Sequence, residues 1–228
     1  SGRVSPERDD AYNDWYTNVR LSDVLAVPGY VRAARYKAFL GDRSFEQEYL
    51  ALYELEVEDL DALQAVSDEH MRRIEADEMH RSPPETIDRD NVRSMYFAET
   101  GPRLGGHDDV PETLFMPFTE PVSEEDDEEF NRWYQEVHLP EVLDVPGFSA
   151  ASRYKETGMN MTGRPWPINF PYLALYELGD GTKEAFENAM KELRRRISEG
   201  DRMEISDALG SDKITQVYSR ITDRISAI

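Results

Sequence analysis

The 228-residue sequence predicts an α+β protein built from two tandem ferredoxin-like repeats whose antiparallel sheets pack into an intrachain α+β barrel. Three observations carry this. A long block recurs at constant spacing, each copy alternates helix-period and strand-period patterning in the same order, and an identical strand-like heptapeptide stands in both copies.

Over the 26 positions 12–37, 14 are identical to residues 130–155 at a constant offset of 118, including Asn13-x-Trp15-Tyr16 against Asn131-x-Trp133-Tyr134 and Val27-Pro28-Gly29 against Val145-Pro146-Gly147. Tyr-Leu-Ala-Leu-Tyr-Glu-Leu at Tyr49–Leu55 returns unchanged at Tyr172–Leu178, an offset of 123, so the second copy has gained five residues in between. Ser94-Met95-Tyr96 echoes Gln216-Val217-Tyr218. These matches divide the chain into a first repeat at 1–104 and a second at 105–228, which holds the expected active site. A Gly- and Pro-containing connector spans 99–110.

Within the second copy, Thr113 to Thr119 reads as an opening strand. Phe130, Trp133, Tyr134 and Val137 fall at i, i+3, i+4 and i+7, one helical face, and the acids at 124–129 suit the positive end of the helix dipole. That helix is expected to end near Pro140. Residues 148–155 and Tyr172 to Leu178 are β-favouring and bounded by Pro146-Gly147 and Pro171. Phe186, Met190, Leu193 and Ile197 mark a second helix within 182–199, and 214–221 closes the unit, giving β-α-β-β-α-β. The first copy repeats the order, with a helix near 58–76, but its opening strand would lie before Ser1. A sheet edge is therefore expected to be unpaired or filled from elsewhere. Helices cover one face of each sheet, and the other copy can cover the opposite face.

A net charge of -21, from 47 acidic against 26 basic residues, opposes binding to nucleic acid or anionic membranes. With 39% hydrophobic and 11% aromatic residues the chain can build a core despite a mean hydropathy of -0.69. The absence of cysteine excludes disulfides, thiolate catalysis and cysteine-ligated metals, and fits a cytoplasmic setting. His70 and His80 lie ten residues apart, on different faces of a helix, so no metal site is expected from them. No Walker loop, dinucleotide fingerprint or nucleophile elbow appears, and no cofactor is expected. Expected partners are a small-molecule substrate and, as an open alternative, a second copy of the chain.

His138 is the leading catalytic candidate. It lies at i+4 from Tyr134 on the flank of the buried stripe, and histidine can take and return a proton near neutral pH. Tyr134 could orient an intermediate, and Trp133, Tyr154 and Tyr176 could line an apolar pocket, although the repeat equivalents Tyr16 and Trp15 favour core packing for Tyr134 and Trp133. Arg20 stands where the second copy has His138 and could hold a carboxylate as a bidentate fork, although pairing with one of the many acids is the simpler expectation. The segment 156–171, with Met159, Met161, Trp166 and Phe170 among Gly and Pro, reads as a lid over a hydrophobic ligand or as a dimer contact. Arg35 with Glu54, and Arg153 with Glu177, are expected to form cross-strand pairs.

Trp133-Tyr134, His138-Leu139-Pro140 and Pro146-Gly147-Phe148 together resemble the EthD-like branch of the dimeric α+β barrel superfamily. The first copy departs from it at Arg20 and Ser22. The resemblance implies a small-molecule enzyme, and in methylisomerase-like members the matching histidine moves a proton, which would fall on His138. The expected function is cofactor-independent acid–base chemistry, of lyase, isomerase or cyclase type, on a small apolar and possibly aromatic metabolite. The alternatives are a cofactorless oxygenase and a non-catalytic binding protein.

Overall fold

The computed structural model describes residues 8–41, 48–80, 87, 89–106, 111–165 and 167–227. In the second copy, β5 (Thr113–Thr119) leads through a 3-10 turn into α4 (Asp127–Trp133), a π-helical turn (Tyr134–His138) and α5 (Leu139–Leu143). β6 (Phe148–Glu156), β7 (Tyr172–Leu178), α6 (Lys183–Glu199) and β8 (Ile214–Arg220) follow. The first copy supplies α1 (Asp9–Trp15), a π-helical turn (Tyr16–Arg20), α2 (Leu21–Leu25), β1 (Tyr30–Gly41), β2 (Tyr49–Leu55), α3 (Leu60–Glu75) and β3 (Phe97–Glu99). Short strands β4 (Leu104–Gly105) and β9 (Ile225–Ser226) pair with β6 and β1. The expected boundary at 104/105 falls inside β4.

The second copy has the strand order β8-β5-β7-β6, the ferredoxin-like arrangement, and all its pairs are antiparallel. The two copies share one sheet because β1 pairs with β8 and β3 pairs with β6, giving the path β2-β1-β8-β5-β7-β6-β3. These two seams are related by the repeat. Ala38 faces Tyr218 as Glu156 faces Phe97, so Phe97, rather than Tyr96, is the true counterpart of Tyr218. One side of the curled sheet carries the helices. The other lines a barrel interior of Tyr36, Leu114, Met116, Phe118, Leu175 and Tyr218.

Helix one of the second copy runs past its expected end near Pro140. In the second copy it continues through Pro140 to Leu143 because the π-turn at Tyr134–His138 widens the hydrogen-bond ladder just where Pro140 supplies no N–H. The Pro-Gly turn that follows recurs for a steric reason. Gly29 and Gly147 have φ of 100° and 108°, and a Cβ at Gly29 would lie 2.5 Å from Val66 of α3. Asp59 and Thr182 cap α3 and α6 through the amides of Ala62 and Ala185.

The expected Arg–Glu pairs do not form. Arg153 faces Ala174 across the ladder, so strand alternation puts it on the helix side and Glu177 on the barrel side. Glu177 instead binds Arg103, at 2.7 and 3.1 Å, and Glu54 binds Arg32 and Arg224. The buried arginines enter a duplicated network. Arg153 donates to Asn131 Oδ1 (3.1 Å), Asn131 to Tyr172 Oη (3.0 Å), and Tyr172 to Asp127 (2.6 Å). Arg35, Asn13, Tyr49 and Asp9 repeat it at 2.8, 3.1 and 2.5 Å. Each guanidinium also lies over a tyrosine of the π-turn, Arg153 at 3.8 Å from the Tyr134 ring and Arg35 at 4.5 Å from Tyr16.

The copies differ in how many bonds back up each arginine. Arg35 also donates to Thr17 Oγ1 and the Asn13 carbonyl, whereas Nε and Nη1 of Arg153 have no acceptor among the described residues. Asn131→Ala is therefore expected to cost about 2–3 kcal/mol and Asn13→Ala about 1 kcal/mol, read from urea denaturation midpoints. Equal costs, or the reverse order, would contradict the network.

Candidate functional site

Helix one places residues 20 and 138 at the last position of a π-turn, a distortion that aims side chains off the regular helical stripe. In the second copy His138 stacks on Trp133, ring centroids 4.8 Å apart, and meets Tyr134 edge-on at 4.9 Å. Its Nδ1 is buried without a partner among the described residues. Burial, then the charges of Arg153 and Lys213, push its pKa down to about 3. Trp133, Tyr134 and Tyr176 are buried in the same helix–sheet layer, packed with Phe130, Phe115 and Phe148. Trp133 donates its indole N–H to the Glu204 carbonyl at 3.0 Å. Of the expected second-copy residues, His138, Trp133, Tyr134 and Tyr176 thus meet, in a packed layer.

A cleft of about 1380 Å³ lies instead along the first copy. Its walls include Arg20, Trp15, Tyr16, Tyr30, Tyr53 and Tyr96 on the helix side, and it reaches into the barrel interior to Tyr154. So Arg20 and Tyr154, among the expected site residues, border it. Trp166 lies outside the described residues. The segment 156–171, expected as a lid or a dimer contact, meets this half as well. Met159 and Met161 pack against the first copy's core, and the Met161 amide donates to Ser94 Oγ at 2.9 Å.

Behind the cleft wall, buried His70 links the half-buried Arg20 to Tyr30 and Tyr96 in one polar chain. Arg20 Nη2 lies 3.1 Å from His70 Nε2, His70 Nδ1 lies 3.2 Å from Tyr30 Oη, and Tyr30 Oη lies 2.8 Å from Tyr96 Oη. Arginine only donates, so Nε2 accepts and the proton of a neutral His70 sits on Nδ1, directed at Tyr30. Burial first, then the cations Arg20 and Arg73, push the His70 pKa down to about 4. Burial also raises the Tyr30 hydroxyl pKa, so both groups are held neutral.

Arg20 has no carboxylate partner among the described residues. Its bonds among the described residues go to His70 and, at 3.8 Å, to Met79 Sδ. The indole N–H of Trp15 is buried with no acceptor among those residues.

Sequence reading placed Arg20 but missed His70, Tyr30 and Tyr96. The signal lay in comparing the copies. The offsets of the repeat match these residues to His138, Leu193, Phe148 and Val217, so the first copy carries polar groups at three positions where the second is apolar. His70 looked unremarkable alone because α3 presents it on the same face as Leu63.

No protein-family model and no curated protein sequence matches the chain. Among solved structures, an anthrone oxidase-like protein matches 99% of this chain and 90% of its own, at 15% identity and a TM-score of 0.50. That likeness supports the fold. Lower-scoring neighbours are a candidate monooxygenase from Fusobacterium nucleatum, with 100% and 93% coverage, 11% identity and a TM-score of 0.48, and a ferredoxin-fold protein related to antibiotic biosynthesis monooxygenases from Listeria monocytogenes, with 87% and 98% coverage, 10% identity and a TM-score of 0.39. Among the described residues no helix is long and apolar enough to cross a membrane, and no cluster of three metal-ligating side chains occurs.

The two depressed histidines predict acid sensitivity. Both have folded pKa values below the ordinary 6.5, so unfolding takes up protons, and stability present above pH 6.5 is lost as pH falls towards 4 for His70 and 3 for His138. Each is expected to remove roughly 2 kcal/mol between pH 7 and pH 5. His70→Gln and His138→Gln should each remove about half of that pH dependence in urea titrations, whatever their effect on absolute stability. An unchanged slope in either variant would mean that its histidine is protonated in the folded protein.

Proposed function

We propose that the protein is a cofactor-independent oxygenase that binds a small anionic aromatic molecule in the first-copy cleft, with Arg20 holding the substrate's oxyanion. The observation that carries this reading is the buried chain Arg20–His70–Tyr30–Tyr96. It directs an arginine with no carboxylate partner among the described residues into an aromatic-walled cleft, in a chain with 47 acidic residues. A guanidinium spared from so many acids is suited to a ligand's negative charge, and neutral His70 orients it without cancelling that charge.

Such a site favours the ionised form of an enol or phenol and so makes the adjacent carbon electron-rich. For an anthrone-type substrate, the class named for the first structural neighbour, a ring CH₂ loses a proton to solvent through the open cleft. The carbanion transfers its electrons to dioxygen and, on protonation, gives a hydroperoxide. Loss of water leaves C=O, so that R₂CH₂ + O₂ gives R₂C=O + H₂O. Trp15, whose indole N–H has no acceptor among the described residues, would supply a stacking face and a second donor.

A second reading keeps proton transfer at His138, as the EthD-like motif implies, and is favoured by its unbonded, buried Nδ1. A pKa of about 3 makes that imidazole a weak base, which is why the cleft ranks first.

Oxygen uptake, with ¹⁸O₂ incorporation into product, over a panel of tricyclic phenolic ketones tests both. Arg20→Met is expected to lower kcat/KM about ten- to hundredfold, the worth of one charge-assisted bond, while His138→Ala changes it only a few-fold. Isomerised or cleaved product without oxygen uptake, abolished by His138→Ala, would replace the oxygenase reading with the second one.

A further inference from the structure

We infer that the barrel interior is a second binding site, separate from the Arg20 arm of the cleft, and that it takes a neutral, mainly apolar molecule whose hydroxyl or carbonyl group meets Tyr36 and Tyr154. The inference stands on side chains that the repeat has placed twice and does not depend on the proposed chemistry.

The evidence is a set of repeat-related polar groups on the inner face of the sheet. Tyr36 and Tyr154 correspond at the offset of 118, and strand alternation puts both on the barrel side with Leu114, Met116, Leu173 and Leu175. Tyr154 therefore faces away from His138, since its neighbour Arg153 is the residue that faces the helices. Arg103 and Arg224 correspond at the offset of 121 that also relates Phe97 to Tyr218 and β4 to β9. The register agrees. Leu104 faces Ala151 of β6, and Ile225 faces Ala33 of β1, the repeat equivalent of Ala151. Each of these arginines grips the glutamate of one heptapeptide copy, Arg103 binding Glu177 at 2.7 and 3.1 Å and Arg224 binding Glu54. Glu54 and Glu177 both act electrostatically on Tyr36 and on Arg103, so the two pairs gather at one end of the barrel. Both tyrosines and both Arg–Glu pairs border the barrel-side arm of the cleft.

The lining sets the chemistry of the ligand. Its charges are matched within the chain, because Arg32 and Arg224 are committed to Glu54 and Arg103 to Glu177. That leaves none of the three arginines for an anion, in contrast to Arg20 on the helix side, and an unpaired charge among the apolar walls would bear a heavy desolvation cost. The uncommitted groups are hydroxyls. Tyr36 is 1% and Tyr218 2% exposed, yet neither hydroxyl has a hydrogen-bond partner among the described residues, and Ser152 Oγ, one strand repeat from Tyr154, is buried without one. Burial, then the Glu177 charge, raises the Tyr36 hydroxyl pKa, so that it stays protonated and can donate. An apolar pocket with a few convergent polar groups uses those groups to orient what it binds, and a buried hydroxyl left unpaired gains from a ligand oxygen placed against it. A neutral molecule with one such oxygen meets both conditions.

The test compares 1-naphthol with naphthalene, two neutral probes of one shape that differ by a hydroxyl, in ligand-detected NMR titrations of the chain at pH 7. The chain is expected to bind 1-naphthol more tightly than naphthalene. Tyr36→Phe should weaken 1-naphthol about three- to tenfold and the double variant Tyr36→Phe/Tyr154→Phe at least about tenfold, with naphthalene within about twofold of its original Kd throughout. Removal of a hydroxyl that has no partner among the described residues should not lower Tm, so a loss of 1-naphthol affinity in a variant of unchanged Tm reports the site and not the fold. Arg20→Met should leave both probes within about twofold, because the site is separate from the helix-side arm. The inference fails if 1-naphthol shows no saturable binding up to about 1 mM, or if the double variant binds both probes as the original chain does. It also fails if Arg20→Met abolishes 1-naphthol binding, which assigns the probe to the helix-side arm and leaves the proposed function standing.

Discussion

Pairing of strands across the repeat is the constraint on which the rest depends. β1 with β8 and β6 with β3 convert two ferredoxin-like units into one curled sheet, so neither copy's inner face meets water alone. Backbone groups at those seams would otherwise be unpaired edges. Once the seams are set, the helices are confined to the outer side, and each copy acquires a helix–sheet layer and a share of the barrel interior.

In both layers the fixed point is an arginine. Arg35 and Arg153 are each 1% exposed, and an unpaired buried cation is strongly destabilising, so the Asn–Tyr–Asp relay and the aromatic faces around each guanidinium are what make the position tenable. The relay ties helix one to two strands in each copy. It also orients Tyr16 and Tyr134, the first residues of the π-turns, and thereby sets where each turn delivers its last side chain. The copies share this frame and diverge at its end, where one turn presents Arg20 and the other His138.

That divergence is why the proposed function lies in the first copy, the reverse of what the histidine alone suggested. His138 is attractive in sequence because its chemistry is familiar, yet the fold stacks it on Trp133 and burial holds it neutral. The first copy looked poorer, with an arginine and no opening strand. The same features leave it with a half-buried arginine, a polar chain behind it and a cleft, while Met159 and Met161 of the second copy cross to pack on its core.

Much of this was legible in the residues. The repeat, the order of elements, the opening strand Thr113–Thr119 and the five-residue expansion all follow from periodicity and self-similarity, because local pattern and repeat spacing are properties of the chain itself. The continuation of helix one through Pro140, the true partners of Glu54 and Glu177, and the joining of Arg20 to His70 were not legible, since each depends on which face or distant segment a residue meets. Tyr49–Leu55 and Tyr172–Leu178 put the division plainly. Identical sequence determined that both are strands, whereas only the presence of β5 beside one of them decided that β7 is buried throughout while most of β2 is half-buried, because burial belongs to a residue's neighbours in space.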